Sequence, residues 1–358
     1  MSYLPSSYKK AELVSGTVSI VKQCFPRQIL SADTVVIRPH YVGLCRADTK
    51  EIIGSRDIPA DRGPLFGHEL VGSVVFAGVN SGFREGDLVT FNPNVTPNRT
   101  TGFAEYVFVN GSVDELDQAI VQVPELDIVK NIWMPEPFAC IVHATKKLLE
   151  LAKLPRLDGK RVGIISAGCS GIMFSMCVKY LGASVVVFNR GEMRRNYVLE
   201  QELLTDKEIY PLSEVGNFRD SFDVVMVVPT IITPSILEKA ADIARTGGVL
   251  HIYGGTREGD RFLTTEVDID TIRRCEQIKP VEYQGKRLRV SGAYGCFKED
   301  YEEGFKLHAE HPEHFPLEKI VSKEISFDEF SALMMSIATG ASDYPGKVVI
   351  KANPESWL

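Results

Sequence analysis

Residues 161–195 read RVGIISAGCSGIMFSMCVKYLGASVVVFNRGEMRR, and the fold turns on them. Residues 162–165 are apolar and of strand length. Ser166-Ala167-Gly168-Cys169-Ser170-Gly171 is a turn of small residues. Residues 172–181 have a helical pattern stopped by Gly182. Residues 185–188 form a second apolar run that ends at Asn189-Arg190. Strand, glycine turn, helix and strand, in that order, are the setting in which a G-x-G-x-x-G-like turn binds a dinucleotide. Gly168 lets the backbone approach a pyrophosphate, and Gly171 lets the helix pack near the strand. The helix start, from Cys169 and Ser170, then offers its N–H groups to phosphate oxygens. Ser166 stands where the pattern has its first glycine, so the match is incomplete and a plain strand–helix turn is the alternative.

The end of the second strand bears on the choice of dinucleotide. An acidic residue there binds the ribose 2′-OH of NAD, whereas an Arg nearby accommodates a 2′-phosphate. Here Asn189 and Arg190 are followed by Arg194 and Arg195. No carboxylate at the strand end repels a phosphate, and the planar fork of Arg190 suits one. The expected cofactor is NADP(H); the alternative is a basic, solvated helix start. Val228 and Gly254, at the ends of two later strands, complete the candidate cofactor set with Arg190 and Arg195.

The chain has 358 residues, enough for two domains. Its net charge of −7 argues against a nucleic-acid or anionic-membrane surface. The opening MSYLPSSYKK lacks the apolar core of a secretory signal, and no apolar run has the length of a membrane span. Cysteines at 24, 45, 140, 169, 177, 275 and 296 form no C-x-x-C, which is reduced, cytoplasmic usage.

Residues 34–39, 70–77, 86–91 and 102–109 read as strands broken by Gly, Asn and Pro, a barrel-like β domain. Residues 128–153 turn helical and Pro155 ends them. Apolar strands at 223–228, 249–253 and 288–292 then alternate with helical segments, of which 234–245 is the clearest. The alternation implies a doubly wound parallel sheet. Residues 256–286 are polar and mixed and support no assignment. Residues 346–351 (GKVVIK) read as a closing strand that belongs with the first domain.

The first domain holds a cluster of metal-ligand types. Cys45 and Asp48 follow a strand, His68 and Glu69 follow a Gly/Pro loop, and Glu136 lies between prolines. A catalytic zinc takes about three N, S or O donors and keeps one position open. Cys45 and His68 with either Glu69 or Glu136 make such a set. A lone Cys or His is more often structural; together, upstream of a dinucleotide fold, they point to a metal.

These pieces carry a family resemblance. GLCRAD at 43–48, GHE at 67–69, REGDLV at 84–89, GFAEYV at 102–107, EPFACIVHA at 136–144, the glycine turn and PGKVVI at 345–350 resemble the zinc-dependent medium-chain dehydrogenase/reductase family of alcohol and sorbitol dehydrogenases. The resemblance implies an α/β fold, a Rossmann doubly wound parallel sheet plus a GroES-like β-barrel catalytic domain. The catalytic domain would span 1–155 and 301–358, with the Rossmann domain, 156–300, between. The resemblance also implies catalytic zinc on Cys45 and His68, with Glu69 and Glu136 as direct or water-linked ligands. Arg46 matches a pyrophosphate contact, and Asp48 a carboxylate that orients ligands. A homodimer or homotetramer is implied as well.

Three departures stand out. Residues 92–101 (NPNVTPNRTT) lack the cysteines of a structural zinc lobe, so one catalytic zinc and no structural one is expected. Ala47 replaces the hydroxyl that starts the usual proton relay, and Lys50 replaces a common His. Glu69, Lys50 or a zinc-bound water would then carry the proton, unless Lys50 is a plain surface charge. Within the family, residues 34–57 are most similar to ribitol-5-phosphate dehydrogenases, which makes Arg56 a candidate for a substrate phosphate or for a loop salt bridge. The expected activity is hydride transfer between NADP(H) and a polyol or polyol-phosphate/keto-sugar. Cyclitol or amino-cyclitol oxidation, a zinc-free enone or quinone reductase, and a non-catalytic NADPH-binding protein are the alternatives.

Overall fold

The computed structural model describes residues 4–55, 67–95, 98–124 and 135–353. The chain forms two compact units. One comprises Met1–Pro137, Phe297–Phe305 and Val321–Leu358; the other comprises Phe138–Cys296 and Lys306–Ile320. The sequence expectation put the joins near residues 155 and 300. The units change over earlier, after Pro137, because most of the helix Pro135–Ala152 belongs with the nucleotide sheet. Arg289, from that sheet, donates to the carbonyl of Ala152 at 3.3 Å.

The first unit is built on an eight-stranded sheet. Val321–Ser326, Lys347–Lys351, Thr34–Gly43, Glu69–Ala77, Leu88–Phe91 and Ile120–Gln122 lie side by side, and Val107–Asn110 pairs on Thr34–Gly43. Alternate residues of these strands, such as Val35, Ile37, Leu70, Val74 and Val89, point into one core with Phe103, Phe330 and Met334. The closing strand lies between Val321–Ser326 and Thr34–Gly43, so it does return to this unit. Of the expected strand at 102–109 only the last part is one. Gly102 packs against Gly67 instead: a Cβ on it would lie 1.8 Å from the Gly67 carbonyl oxygen. An unexpected hairpin, Ser7–Val14 with Thr17–Cys24, turns at Ser15 and Gly16, both with positive φ.

The second unit holds a seven-stranded sheet in the order Ile209–Pro211, Ser184–Asn189, Arg161–Ile165, Phe222–Val227, Ala244–Ile252, Lys286–Gly292, Ile278–Tyr283. The first six are parallel, and the strand order reverses between Arg161–Ile165 and Phe222–Val227. Ligands of doubly wound sheets bind at that reversal, off the carboxyl ends of the strands. Residues 256–286, unassigned from sequence, contain the helix Ile269–Arg274 and the antiparallel strand Ile278–Tyr283. That strand forms one edge of the sheet and carries Pro280; the other edge ends at Pro211. Among the described residues no helix is long and apolar enough to cross a membrane.

Candidate metal centre and nucleotide turn

Sheet register builds the metal centre. Gly43 pairs with Glu69 on one side and with Val349 on the other. Three neighbouring strands therefore deliver Cys45, His68, Glu69 and Lys347 to one end of the sheet. Donor atoms of Cys45, His68 and Glu69 all lie within 4.8 Å of one another. Two glycines make the space. A Cβ on Gly43 would lie 2.4 Å from a Glu69 carboxylate oxygen. Gly67 has φ +52, and a Cβ there would lie 2.6 Å from the Phe103 amide. The GFAEY stretch thus serves as the wall against which the GHE loop rests.

Asp48 locks the ligand-bearing segments together. Its carboxylate accepts from the Cys45 amide at 3.1 Å and from the Gly67 amide at 3.2 Å. The first bond belongs to a capping box at the start of the helix Arg46–Ile52, with Cys45 as N-cap. Asp48 Oδ1 also lies 3.8 Å from His68 Nδ1. Burial pushes the Asp48 carboxyl up to about 7, and Glu69 adds to the rise, against the two amides.

Glu69 is clasped from the other side. Lys347 Nζ donates to both of its oxygens, at 2.8 and 2.6 Å, and both side chains are buried. The same ammonium donates to the Leu44 carbonyl at 3.3 Å. Burial raises the Cys45 thiol well above its ordinary value; Glu69, Asp48 and Glu136 add to the rise and Lys347 opposes it. Three carboxylates and a thiol thus bear on one spot, which a dication would offset. The sulfur, imidazole and carboxylate donors are the set a catalytic zinc takes, so the residues fit that ion.

Other expected site residues lie at varying distances from this arrangement. Glu136 is buried at the start of its helix and groups with Cys140, one turn further on, rather than with those three donors. Arg46 is exposed, with Nη2 2.5 Å from Asp343. Lys50 is half-buried in the last turn of its helix. Thr49, the hydroxyl nearest Ala47 in sequence, donates to the Arg46 carbonyl at 2.9 Å. Arg56 lies outside the described residues.

In the nucleotide unit, Ser166 follows the strand Arg161–Ile165 with φ +101, a region that favours glycine. Ser166 thus holds a conformation that a glycine would adopt without a side-chain penalty. Gly168 is the N-cap of the helix Cys169–Tyr180. A Cβ on Gly171 would lie 1.9 Å from the Ser166 carbonyl oxygen, so the third glycine position admits no side chain. Val228 and Gly254 meet at neighbouring strand ends, where a Cβ on Gly254 would lie 2.1 Å from the Pro229 carbonyl oxygen. Asn189 is buried and braces the turn. It accepts from the Ala167 amide at 3.1 Å and donates to the Gly191 carbonyl at 2.8 Å. Arg195 donates to the carbonyls of Asn189 and Arg190, both at 3.1 Å, while Arg190 is exposed.

One residue of the metal centre escapes the sequence reading. Lys347 reads in sequence as the opening of an apolar strand; only knowing that this strand is internal makes a lysine there anomalous. Arg194 reaches over the turn, with Nη1 3.9 Å from where a Gly168 Cβ would be. It lies in the first turn of the helix Glu192–Glu200, just after Arg190.

Comparison with known proteins agrees with this architecture. Residues 31–121 match the alcohol dehydrogenase GroES-like domain. The chain is 23% identical over 279 residues to a sorbitol dehydrogenase of Bacillus subtilis (strain 168), covering 71% of this chain and 77% of that one. It is 24% identical over 300 residues to an uncharacterized zinc-type alcohol dehydrogenase-like protein of Escherichia coli (strain K12), covering 75% and 84%. Among solved structures it is similar to galactitol-1-phosphate dehydrogenase of Escherichia coli (TM-score 0.68, 20% identity, covering 96% and 99%). It is also similar to Haloferax mediterranei glucose dehydrogenase in complex with NADP, Zn and gluconolactone (TM-score 0.69, 17% identity, covering 96% and 99%). At these identities the structural likenesses speak to fold.

Proposed function

We propose, for a chain that belongs to the zinc-dependent medium-chain alcohol and polyol dehydrogenases, that it transfers a hydride between NADP(H) and a polyol, a polyol phosphate or the matching keto-sugar. The observation that carries the reading is the convergence of Cys45, His68 and Glu69 donors within 4.8 Å, backed by Asp48. A zinc ion held there would supply a Lewis acid for the substrate oxygen, and the nicotinamide would supply or take the hydride.

The chain's own residues do the positioning. Asp48 fixes the backbones that carry Cys45 and His68. Glu69 would serve as a ligand in competition with Lys347 for its carboxylate; Glu136 is a further carboxylate within electrostatic reach of Cys45. Ala47 offers no hydroxyl and Thr49 spends its own on the backbone, so Lys50 and Glu69 are the groups to move the proton. Arg190, Arg194 and Arg195 favour a 2′-phosphorylated ribose beside Asn189. Arg56 is the candidate for a substrate phosphate. The working enzyme is a cytoplasmic homodimer or homotetramer acting on small molecules.

The test combines metal analysis of freshly purified protein with turnover of phosphorylated and free ketoses under NADPH and NADH. Zinc at about one equivalent per chain and a preference for NADPH are expected, with Arg190→Asp shifting the preference toward NADH. Zinc-free active protein would sink the metal reading. Equal use of both nucleotides would sink the cofactor reading.

A further inference from the structure

Two thiols of the nucleotide unit take no part in the chemistry above. Cys140 lies on the helix Pro135–Ala152, and Cys296 follows the strand Lys286–Gly292. Neither is in a disulfide, and the Cys140 thiol donates to the Cys296 sulfur at 3.6 Å. Cys296 is buried and Cys140 is half-buried.

A carboxylate bracket holds the two backbones in place. His143, three residues after Cys140 on the same helix, has Nε2 2.5 Å from Glu276 Oε1. The same oxygen accepts from the Tyr294 amide, two residues before Cys296, at 3.3 Å. Lys147 lies 3.5 Å from the other Glu276 oxygen. Glu276 sits at φ +50, uncommon for a residue other than glycine, and presents its carboxylate from that strained position. Helix and loop therefore share one acceptor, and the thiols stay opposite each other. A disulfide needs its sulfurs at about 2.0 Å, so closure asks only for a further approach of about 1.5 Å by the side chains.

We propose that Cys140 and Cys296 form a reversible disulfide that senses hydroperoxides. Cys140, the more exposed, reacts first, its thiol proton passing to the leaving oxygen. Its sulfur takes the terminal oxygen of the hydroperoxide, the O–O bond breaks, and the other oxygen leaves as an alcohol or water after taking a proton. The resulting sulfenic acid is attacked by the Cys296 sulfur. The S–S bond forms, the S–O bond breaks, and water leaves with the Cys296 proton. Two thiols and one hydroperoxide thus give one disulfide, one water and one alcohol (or a second water), the sulfurs losing two electrons to the peroxide bond. A dithiol reductant restores the pair. Closure draws residues 293–296 toward the helix. Those residues leave the carboxyl end of a parallel strand, the side of the sheet where a dinucleotide lies. The oxidised protein therefore binds NADPH several-fold more weakly, a consequence that rests on the cofactor reading above.

The experiment treats the purified protein with hydrogen peroxide and reads intact mass, peptide linkage and NADPH affinity by fluorescence, then repeats all three after dithiothreitol. Expected are the loss of two hydrogens, a Cys140–Cys296 linked peptide, weaker NADPH binding, and reversal of all three. Cys140→Ser and Cys296→Ser proteins should keep their NADPH affinity through the same treatment. Links through the exposed Cys24 or Cys275, added oxygens with no link, or a closed pair with unchanged affinity would each overturn the proposal. A reduced protein that fails to bind NADPH at all would instead overturn the cofactor reading, leaving the linkage to be judged by mass alone.

Discussion

The metal centre and the nucleotide turn solve placement in opposite ways. The turn is contiguous: residues 166–171 carry its shape, and backbone groups and missing side chains make the site. The metal centre is assembled from residues 45, 48, 67–69 and 347, and buried charged side chains make it. A site made of backbone tolerates little change in shape but holds no charge that must be balanced. A site made of buried charge depends on every partner, because removing one leaves the others unpaired in a poorly solvating interior.

The sharpest way to break the contrast is Cys45→Ser. Loss of a sulfur donor should empty the metal centre and bring turnover to background while the protein still binds NADPH. Metal analysis and nucleotide fluorescence on the same sample check this, and loss of both functions together would show that the two sites do not stand apart.

Lys347→Met comes next. It removes the cation clasped to the buried Glu69 carboxylate, a change that costs about 3–5 kcal/mol where one partner of a buried pair is lost. Urea unfolding should show a larger loss in chelator-treated protein than in zinc-loaded protein, because a metal offers Glu69 another partner. An equal loss in both forms would exclude Glu69 as a ligand.

Asp48→Asn should be milder. The side chain keeps its shape, but its amide replaces one of the carboxylate acceptors that tie Cys45 to Gly67. Metal affinity should fall by about 10–100-fold, the range for residues that support ligands, as read by competition with a chromogenic chelator. Unchanged affinity would make Asp48 a matter of folding alone.

The smallest effect belongs to the turn. Ser166→Gly removes a side chain from a positive-φ position, relieving roughly 1–3 kcal/mol of backbone strain against about 0.4–1 kcal/mol of added unfolded-chain freedom. Slight stabilisation in thermal melts is expected, with NADPH affinity kept. A destabilised protein would mean that the weak bond from the Gly168 amide to the Ser166 hydroxyl, at 3.4 Å, matters more than the strain.

Legibility in the sequence follows the same division. The glycine turn, its flanking strands and the strand–helix alternation are local patterns, and they stand in the structure close to where they were read. For the metal centre only the residue types were legible: Cys45, His68 and Glu69 could be grouped, but their meeting depends on strand register. Lys347, separated from Glu69 by 278 positions, carried no local signal at all. Asn189 marks in sequence only a strand end without a carboxylate, yet its side chain spans the turn, because a short amide there can satisfy backbone groups on both sides. Residues 256–286 were opaque because their strand, Ile278–Tyr283, lies on a sheet edge with Val281 alone buried, so no alternation marks it.

That edge has a consequence for how copies of the chain can meet. An open sheet margin is a template on which a second chain can add a strand through its unpaired backbone. Pro280 interrupts the template on one margin, since a residue without an N–H leaves a missing rung, and the other margin is three residues long and stops at Pro211. Continuous pairing of two nucleotide sheets through either margin is thereby discouraged. Self-association of this unit is thereby steered toward side-chain complementarity, which can be specific and saturable, and away from an open-ended ladder that would grow into aggregates.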